Sequence, residues 1–314
     1  MPAGAGNPDE LTAVIPAALP DSAPGGIAID CGDALGCTSM ESGNITTAEG
    51  FRSAYAEIFA NVGMLAEGLD NERAMLPTGC AGWTVRDHIA HITDLEGILV
   101  GRPRVEHVPP EGLPYIRNQP GAFMEIGVDA RRAMPLLDLL AEYRMVIAER
   151  LARLAALTDS QLDEMGRGFF GESKVRSLLA IRVFDLWAHE QDIRRALGEP
   201  GGLDGVAAAH SRERMLMGAA HELQERIAPS AGTVIVFDVS GPGGAVRAIT
   251  FDGERGRAGS TIPSSQASTL RLDLPTLTVL TCGRAGDPGA RARVVVEGDQ
   301  NLARLVLEDL AVTP

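Results

Sequence analysis

Two predicted helices carry imidazole and carboxylate groups that could meet at one metal ion, and this constrains the fold more than any other feature. Asp185 and His189 are four residues apart, so on a helix both side chains leave the same face. His91 belongs to a second helical segment, far earlier in the chain. One carboxylate and two imidazoles make three protein ligands, and three ligands with an open fourth position are typical of catalytic zinc. The sequence therefore predicts a metal site formed by His91, Asp185 and His189.

Asp185 stands in an apolar part of its predicted helix. Its neighbours are Val183, Phe184, Leu186 and Trp187. A carboxylate among such residues is costly unless it is paired or binds a metal. Pairing with Arg182 or Arg86 is the structural alternative. Helix bundles build metal sites from inward-facing carboxylates and histidines, so the combination with two imidazoles favours the metal.

Other acidic and imidazole groups compete for these roles. His88 lies three residues before His91 and could replace it, and Asp192 lies three residues after His189 and could also bind the metal. We favour supporting roles for both, in which Asp192 holds an imidazole in one tautomer. Glu96 is a weaker ligand candidate beyond His91. Three histidines lack partners at ligand spacing and are predicted to be surface or packing residues: His107, His210 and His221.

Apolar residues at helical spacing predict a four-helix bundle in the N-terminal part of the chain. The four helices are expected at about 47–69, 85–100, 135–157 and 174–197. A fifth, at about 204–228, leads out of the bundle. Residues 101–125 contain five prolines and are predicted to form a long loop, and loops of that length are usually functional or mobile.

The last third of the chain predicts a small α+β domain. Strands are expected at 233–239, 246–251, 270–274 and 292–296, with helices at 275–282 and about 299–310. The predicted organisation is a disordered extension over 1–45, a metal-binding bundle over 46–200, and a linker helix with the α+β domain over 201–314. Because the extension is rich in Pro, Gly and Ser, we expect it to be dispensable for folding.

Composition excludes several classes of protein. The net charge of −14 argues against nucleic-acid binding, which needs cations against phosphate. No apolar run approaches the roughly 18 residues of a membrane helix, and the N-terminus has no signal-peptide pattern. The four cysteines are dispersed and form no CxxC pair. These features predict a protein of a reducing cytoplasm.

Two motifs carry a resemblance to a known family. Gly-Trp-Thr-Val-Arg-Asp-x-Ile-Ala-His at 82–91 and Asp-x-Trp-Ala-His-Glu-Gln-Asp-Ile-Arg at 185–194 resemble the mycothiol-dependent maleylpyruvate isomerase family. The stretches at 280–284 and 296–303 are similar to the second domain of that family. The resemblance covers about 47–314. It implies a DinB-like four-helix bundle followed by a small sterol-carrier-like α+β domain.

The resemblance also implies the chemistry of the site. In the family a divalent metal, usually zinc, is held at the positions of His91, Asp185 and His189, with glutamate where this chain has Asp185. Arg284 is the candidate for the family's substrate-side arginine. The resemblance implies a cytoplasmic actinobacterial enzyme. We expect a monomer or homodimer, and the composition argues against nucleic-acid and membrane partners. The implied co-substrate is mycothiol, and a zinc-bound thiolate attacks a small electrophile, as an isomerase or an S-transferase.

Two other functions stay open at the level of the sequence. The same bundle could serve a metal-dependent hydrolase with metal-bound water as nucleophile. It could also be a non-catalytic binding or stress-response protein. Activity without a thiol would favour the hydrolase, and absence of metal would favour the binding protein. The sequence does not name the electrophile.

Overall fold

The computed structural model describes residues 43–169, 171–265, 267–284, 287 and 289–313. The predicted extension over 1–45 lies outside this part of the chain, apart from its last three residues. Those residues lie against the folded part, since the backbone N–H of Ile45 donates to Nδ1 of His210 at 3.2 Å. Among the described residues, no helix is long and apolar enough to cross a membrane.

Four long helices form the N-terminal bundle, as predicted. The helices up to the end of the bundle are α1 (Ala48–Glu67), α2 (Asn71–Ala74), α3 (Val85–Leu99), α4 (Gln119–Arg132), α5 (Leu136–Ala155) and α6 (Val175–Leu197). Helix α3 packs on α4, α5 and α6, while α1 packs on α5 and α6. Thr47 caps α1 by accepting from the N–H of Gly50 at 3.1 Å. Gly198, in the left-handed conformation, ends α6.

The prediction of a loop over all of 101–125 is wrong. Helix α4 begins at Gln119, and its N-cap Asn118 accepts from the N–H of Gly121 at 2.8 Å. Pro120 stands in the first turn, where a missing N–H costs nothing. Pro120 and Gly121, which counted towards the loop prediction, therefore lie in the first turn of a helix.

A short hairpin between α5 and α6 was not predicted. Its strands are β1 (Met165–Gly168) and β2 (Gly171–Lys174), which pair antiparallel. Each strand has only four residues and no alternation of apolar and polar side chains, so the sequence gives no strand signal.

The C-terminal region forms a five-stranded mixed sheet with helices, which confirms the predicted fold class. The strands are β3 (Val234–Ser240), β4 (Ala245–Phe251), β5 (Gly256–Gly259), β6 (Ser268–Asp273) and β7 (Val295–Gly298), in the order β5-β4-β3-β6-β7. Among these strands, β3 and β6 pair parallel and the other neighbours pair antiparallel. Helices α8 (Leu274–Thr281) and α9 (Gln300–Asp309) complete the region. The predicted strand at 292–296 begins later, because residues 291–293 form a 3₁₀ turn.

Helix α7 (Val206–Ile227) joins the two regions. It packs on α1 and α6 on one side and on β4, β5, α8 and α9 on the other. The buried apolar cluster runs continuously from Phe51 in α1 through Leu216 in α7 to Phe237 in β3. A shared core thus supports both regions, and the domain limits at 45 and 200 remain predictions.

Gly127 tests the packing of α4 against α3. A Cβ atom there would lie 2.0 Å from Cγ of Asp94, a buried carboxylate that pairs with Arg104 and Arg131. We expect Gly127→Ala to lower the free energy of unfolding by about 1–3 kcal/mol through overpacking. Gly63→Ala in α1 is the control, because nothing lies within 4 Å of that Cβ; it should stabilise by up to about 1 kcal/mol. Equal stability of the Gly127 variant and wild type in urea unfolding would contradict this packing.

Candidate metal site

Three histidines cluster where α3 and α6 meet. His88 and His91 lie one turn apart on α3, and His189 lies on α6. The ring centroid of His189 is 4.8 Å from that of His88 and 4.6 Å from that of His91. Trp83 precedes α3, and its ring lies 5.1–5.7 Å from all three imidazoles. The indole therefore forms a wall common to the whole cluster.

The structure brings the three predicted ligands together. Nε2 of His91 lies 3.2 Å from Oδ2 of Asp185, and Nε2 of His189 lies 3.5 Å from Oδ1 of the same residue. One donor atom from each residue lies within 4.8 Å of the others, so the group could hold a metal ion. The two imidazoles are buried, whereas the Asp185 side chain is 30% exposed. The carboxylate therefore lies on the side that solvent can reach.

A chain of buried charges holds Asp185. Nη1 of Arg182 lies 2.5 Å from Oδ2 of Asp185, and the same guanidinium donates to Glu96 at 3.0 and 2.6 Å. Arg150 donates to the other oxygen of Glu96 at 2.8 Å. Glu96, considered as a ligand from sequence, thus has both oxygens occupied by arginines. The alternative partner, Arg86, instead donates to the backbone carbonyls of Arg131 in the last turn of α4 and Met134 just after it.

Burial and charge set the protonation of the cluster. Burial lowers the pKa of His91 to about 4, although Asp185 opposes the shift, so its ring is neutral at pH 7. Burial alone would raise the pKa of Asp185, but Arg182 and the two histidines hold it well below its usual range. Burial likewise lowers the pKa of His189, and the carboxylates of Asp185 and Asp192 outweigh it to give a net rise. An ionised carboxylate therefore faces two imidazoles.

A second donor group lies behind the first and shares His189. It consists of His88, His189 and Asp192, all buried. Nδ1 of His189 lies 2.9 Å from Nδ1 of His88 and 3.5 Å from Oδ2 of Asp192. Arg284 approaches Asp192 at 2.7 Å and Arg195 approaches it at 2.5 Å. Two guanidiniums beside the carboxylate disfavour a second dication at this position.

Arg284 does not lie open towards the cluster. Its side chain is only 10% exposed. Besides binding Asp192, it donates from Nη1 to the carbonyl of Cys282 at 2.9 Å. In the structure this predicted substrate-side residue therefore links the segment after α8 to helix α6 through its ion pair with Asp192.

Glu125 is a residue that the sequence did not single out. It accepts from Nε1 of Trp83, from the hydroxyl of Tyr115 and from Arg132, at 2.9, 2.9 and 2.7 Å. The Tyr115 ring packs where a Cβ of Gly82 would stand, and Gly82 has a φ of +78°. In the sequence, the signal for this interaction was the Gly-Trp pair. The partner of the indole, Glu125, lies in the segment that was predicted to be a loop.

The segment 100–118 is fastened to the bundle by ion pairs. Arg102 pairs with Glu149, and Arg104 pairs with Asp94. His107 lies 2.7 Å from a carboxylate oxygen of Asp129. The other two lone histidines lie away from the cluster: His210 is buried against the carbonyl of Ala180, and His221 is exposed.

The fold and the donor group together define a helix-bundle protein with a candidate metal site. Residues 55–194 match the sequence profile described as the mycothiol maleylpyruvate isomerase N-terminal domain. This part of the chain is therefore similar to that domain. All three predicted ligands lie inside the matched range, whereas Arg284 lies outside it.

Two solved structures are similar to this one. The first, titled crystal structure of the mycothiol-dependent maleylpyruvate isomerase, has a TM-score of 0.50 at 12% identity, over 80% of this chain and 92% of that chain. The second, a mutant of the same enzyme, has a TM-score of 0.48 with the same identity and coverage. At this identity the first shows a shared fold alone. No curated protein matches the sequence.

Glu96 provides a test of the buried charge chain. Glu96→Gln removes the negative charge between two buried arginines, and removal of one partner from a buried ion pair costs about 3–5 kcal/mol. We expect a loss of that order in chemical unfolding. Glu149→Gln is the control, because Glu149 pairs with Arg102 at a half-exposed site, where such pairs are worth less than about 1 kcal/mol. Similar losses for the two variants would refute the importance of the buried chain.

Proposed function

We propose that this chain is a metal-dependent, mycothiol-using enzyme, an isomerase or S-transferase that acts on a small electrophile. The observation that carries the proposal is the convergence of His91, Asp185 and His189 from two helices, within the segment that matches the family. The similar solved structure, by its title a mycothiol-dependent isomerase, supports the choice of thiol. At 12% identity it does not carry the substrate.

The donor set suits zinc better than a hard cation. Two imidazole nitrogens and one carboxylate oxygen are common ligands of catalytic Zn²⁺, whereas Mg²⁺ and Ca²⁺ prefer oxygen. Burial keeps the pKa of His91 low, so its ring nitrogen can act as a ligand at neutral pH. Aspartate is shorter than the glutamate of the family. We propose that Arg182 compensates by fixing Oδ2 of Asp185 and leaving Oδ1 towards His189.

A bound dication would favour the thiolate form of an added thiol and so supply a nucleophile at neutral pH. The chain's own residues position and shield it. Arg182 keeps Asp185 ionised, while Trp83, held by Glu125, closes one side of the imidazole cluster to water. The exposed side of Asp185 is the direction from which we expect thiol and electrophile to enter.

We extend the proposal to a cytoplasmic location and an actinobacterial source. Cys80 and Cys282 are free thiols in the described part of the chain, as expected in a reducing compartment. The source follows from the mycothiol assignment and stands or falls with it.

The first test is metal content. Wild type purified under zinc-replete conditions should contain roughly one zinc ion per chain, as a site with three protein ligands predicts. His189→Ala should lose most of it. His107→Ala, at a histidine paired with Asp129 outside the cluster, should retain it. Equal zinc in all three proteins by elemental analysis would eliminate the assigned ligands.

The second test concerns Asp185 and the thiol. Asp185→Asn should weaken zinc affinity, because a neutral amide is a poorer ligand for a dication. Mycothiol should bind zinc-loaded wild type in calorimetry but not the zinc-depleted protein. Turnover of a candidate substrate that needs zinc and no thiol would replace this proposal with the hydrolase.

A further inference from the structure

A continuous hydrogen-bond chain leads from His189 to the backbone before α3. Nδ1 of His189 lies 2.9 Å from Nδ1 of His88, and Nε2 of His88 lies 2.9 Å from Oγ1 of Thr78. Oγ1 of Thr78 lies 3.0 Å from the carbonyl oxygen of Trp83. The chain therefore runs from α6 through α3 into the turn that carries the indole wall.

The hydrogen bonds of the Thr78 hydroxyl have a defined direction from donor to acceptor. A carbonyl oxygen can only accept, so the 3.0 Å contact is a hydrogen bond when the single hydroxyl hydrogen of Thr78 lies between Oγ1 and the oxygen of Trp83. Oγ1 also faces the carbonyl of Cys80 at 3.4 Å and accepts from the N–H of Cys80 at 3.2 Å. With its hydrogen directed to a carbonyl, Oγ1 can only accept from His88. Nε2 of His88 is then the nitrogen that carries hydrogen.

The position of the hydrogen on His88 determines which of the two facing ring nitrogens, that of His88 or that of His189, is the donor. A contact of 2.9 Å between two ring nitrogens needs one hydrogen between them. If His88 supplied it, that ring would carry hydrogen on both nitrogens and become a cation. His88 is fully buried, and in the described structure no carboxylate oxygen is hydrogen-bonded to it, so the cation is disfavoured. Nδ1 of His189 is therefore the donor.

We propose that Thr78 and His88 are positioning residues that fix the tautomer of His189, with hydrogen on Nδ1 and a lone pair on Nε2. Nε2 is the atom that faces Asp185, so this tautomer is the one that can bind a metal. The tautomer is a property of the metal-free chain. Its value for metal binding rests on the proposed function.

Asp192 is the obvious competitor for this role, and the distances do not favour it. Its Oδ2 lies 3.5 Å from Nδ1 of His189, farther than His88. Oδ1 of Asp192 accepts from Nε of Arg284, and Oδ2 lies 2.7 Å from Nη2 of Arg284 in an ion pair, without a hydrogen-bond partner among the described residues. His91 shows the contrast, because its buried Nδ1 has no hydrogen-bond partner among the described residues. Of the two imidazole ligands, only His189 is held from behind.

The direct test is nitrogen NMR of the histidine side chains in metal-free wild type. Because the pKa of His189 is raised, long-range ¹H–¹⁵N spectra are recorded at increasing pH until that ring is neutral, where they distinguish the two neutral tautomers. We expect His189 with hydrogen on Nδ1 and His88 with hydrogen on Nε2. The opposite pair of tautomers would overturn the proposal.

Zinc affinity of variants provides the second readout. His88→Leu removes the acceptor, and loss of such a supporting partner should weaken zinc binding roughly 10–100-fold. His88→Asn places an amide oxygen near the position of Nδ1 and should restore most of the affinity. Thr78→Val should weaken binding and make the His88 tautomer mixed. Unchanged zinc affinity in His88→Leu, or no rescue by Asn, would contradict the positioning role.

Two controls separate this role from loss of packing. Thr93→Val removes a buried hydroxyl on α3 that donates to the carbonyl of Ile89 in the same helix. His210→Leu removes a buried histidine far from the cluster. Both should bind zinc like wild type. If wild type binds no zinc, the proposed function fails and the NMR tautomers still decide this inference; zinc binding with reversed tautomers defeats this inference alone.

Discussion

The geometry of the site depends on the buried ion pairs that the Glu96 carboxylate forms. This carboxylate lies fully buried on α3 and accepts from Arg150 on α5 and Arg182 on α6, so three helices converge on one charge. Arg182 also forms an ion pair with Asp185. This pair connects the core of the bundle to the exposed edge of the imidazole cluster. Apolar residues of the same volume are often at least as stabilising as a buried ion pair. The chain of charges is therefore better explained by the orientation of Asp185 than by stability.

Local patterns made the elements and the ligand group predictable from sequence. The apolar stripe of α1 and the i, i+4 spacing of Asp185 and His189 both depend on helical periodicity alone. The strands β3 and β4 are rich in β-branched and apolar residues and lie between turns. His91 could be joined to the pair because a bundle must place its long helices side by side. These inferences need no knowledge of distant contacts.

The remaining features depend on contacts between distant residues. Nothing near Glu96 in the sequence indicates that Arg150 will meet it across the bundle, so it could only be considered as a free carboxylate. Arg284 was assigned towards the substrate from the family resemblance, and its pairing with Asp192 on a distant helix could not be recognised from the sequence. Helix α4 was missed because Pro serves both loops and helix starts. The role of each of these features is defined only by its neighbours in the folded chain.

The tie between Arg284 and Asp192 has a consequence for modularity. Arg284 follows the last turn of α8, in the sheet-containing part of the chain, yet its guanidinium lies beside the histidine cluster of the bundle. A bundle excised from its C-terminal region would leave Asp192 with one guanidinium fewer and would uncover the faces of α1 and α6 that pack on α7. The bundle and the C-terminal region therefore cannot be exchanged independently of each other. A chimera that joins this bundle to a foreign C-terminal region would need an arginine at the same place to keep the electrostatics behind His189 unchanged.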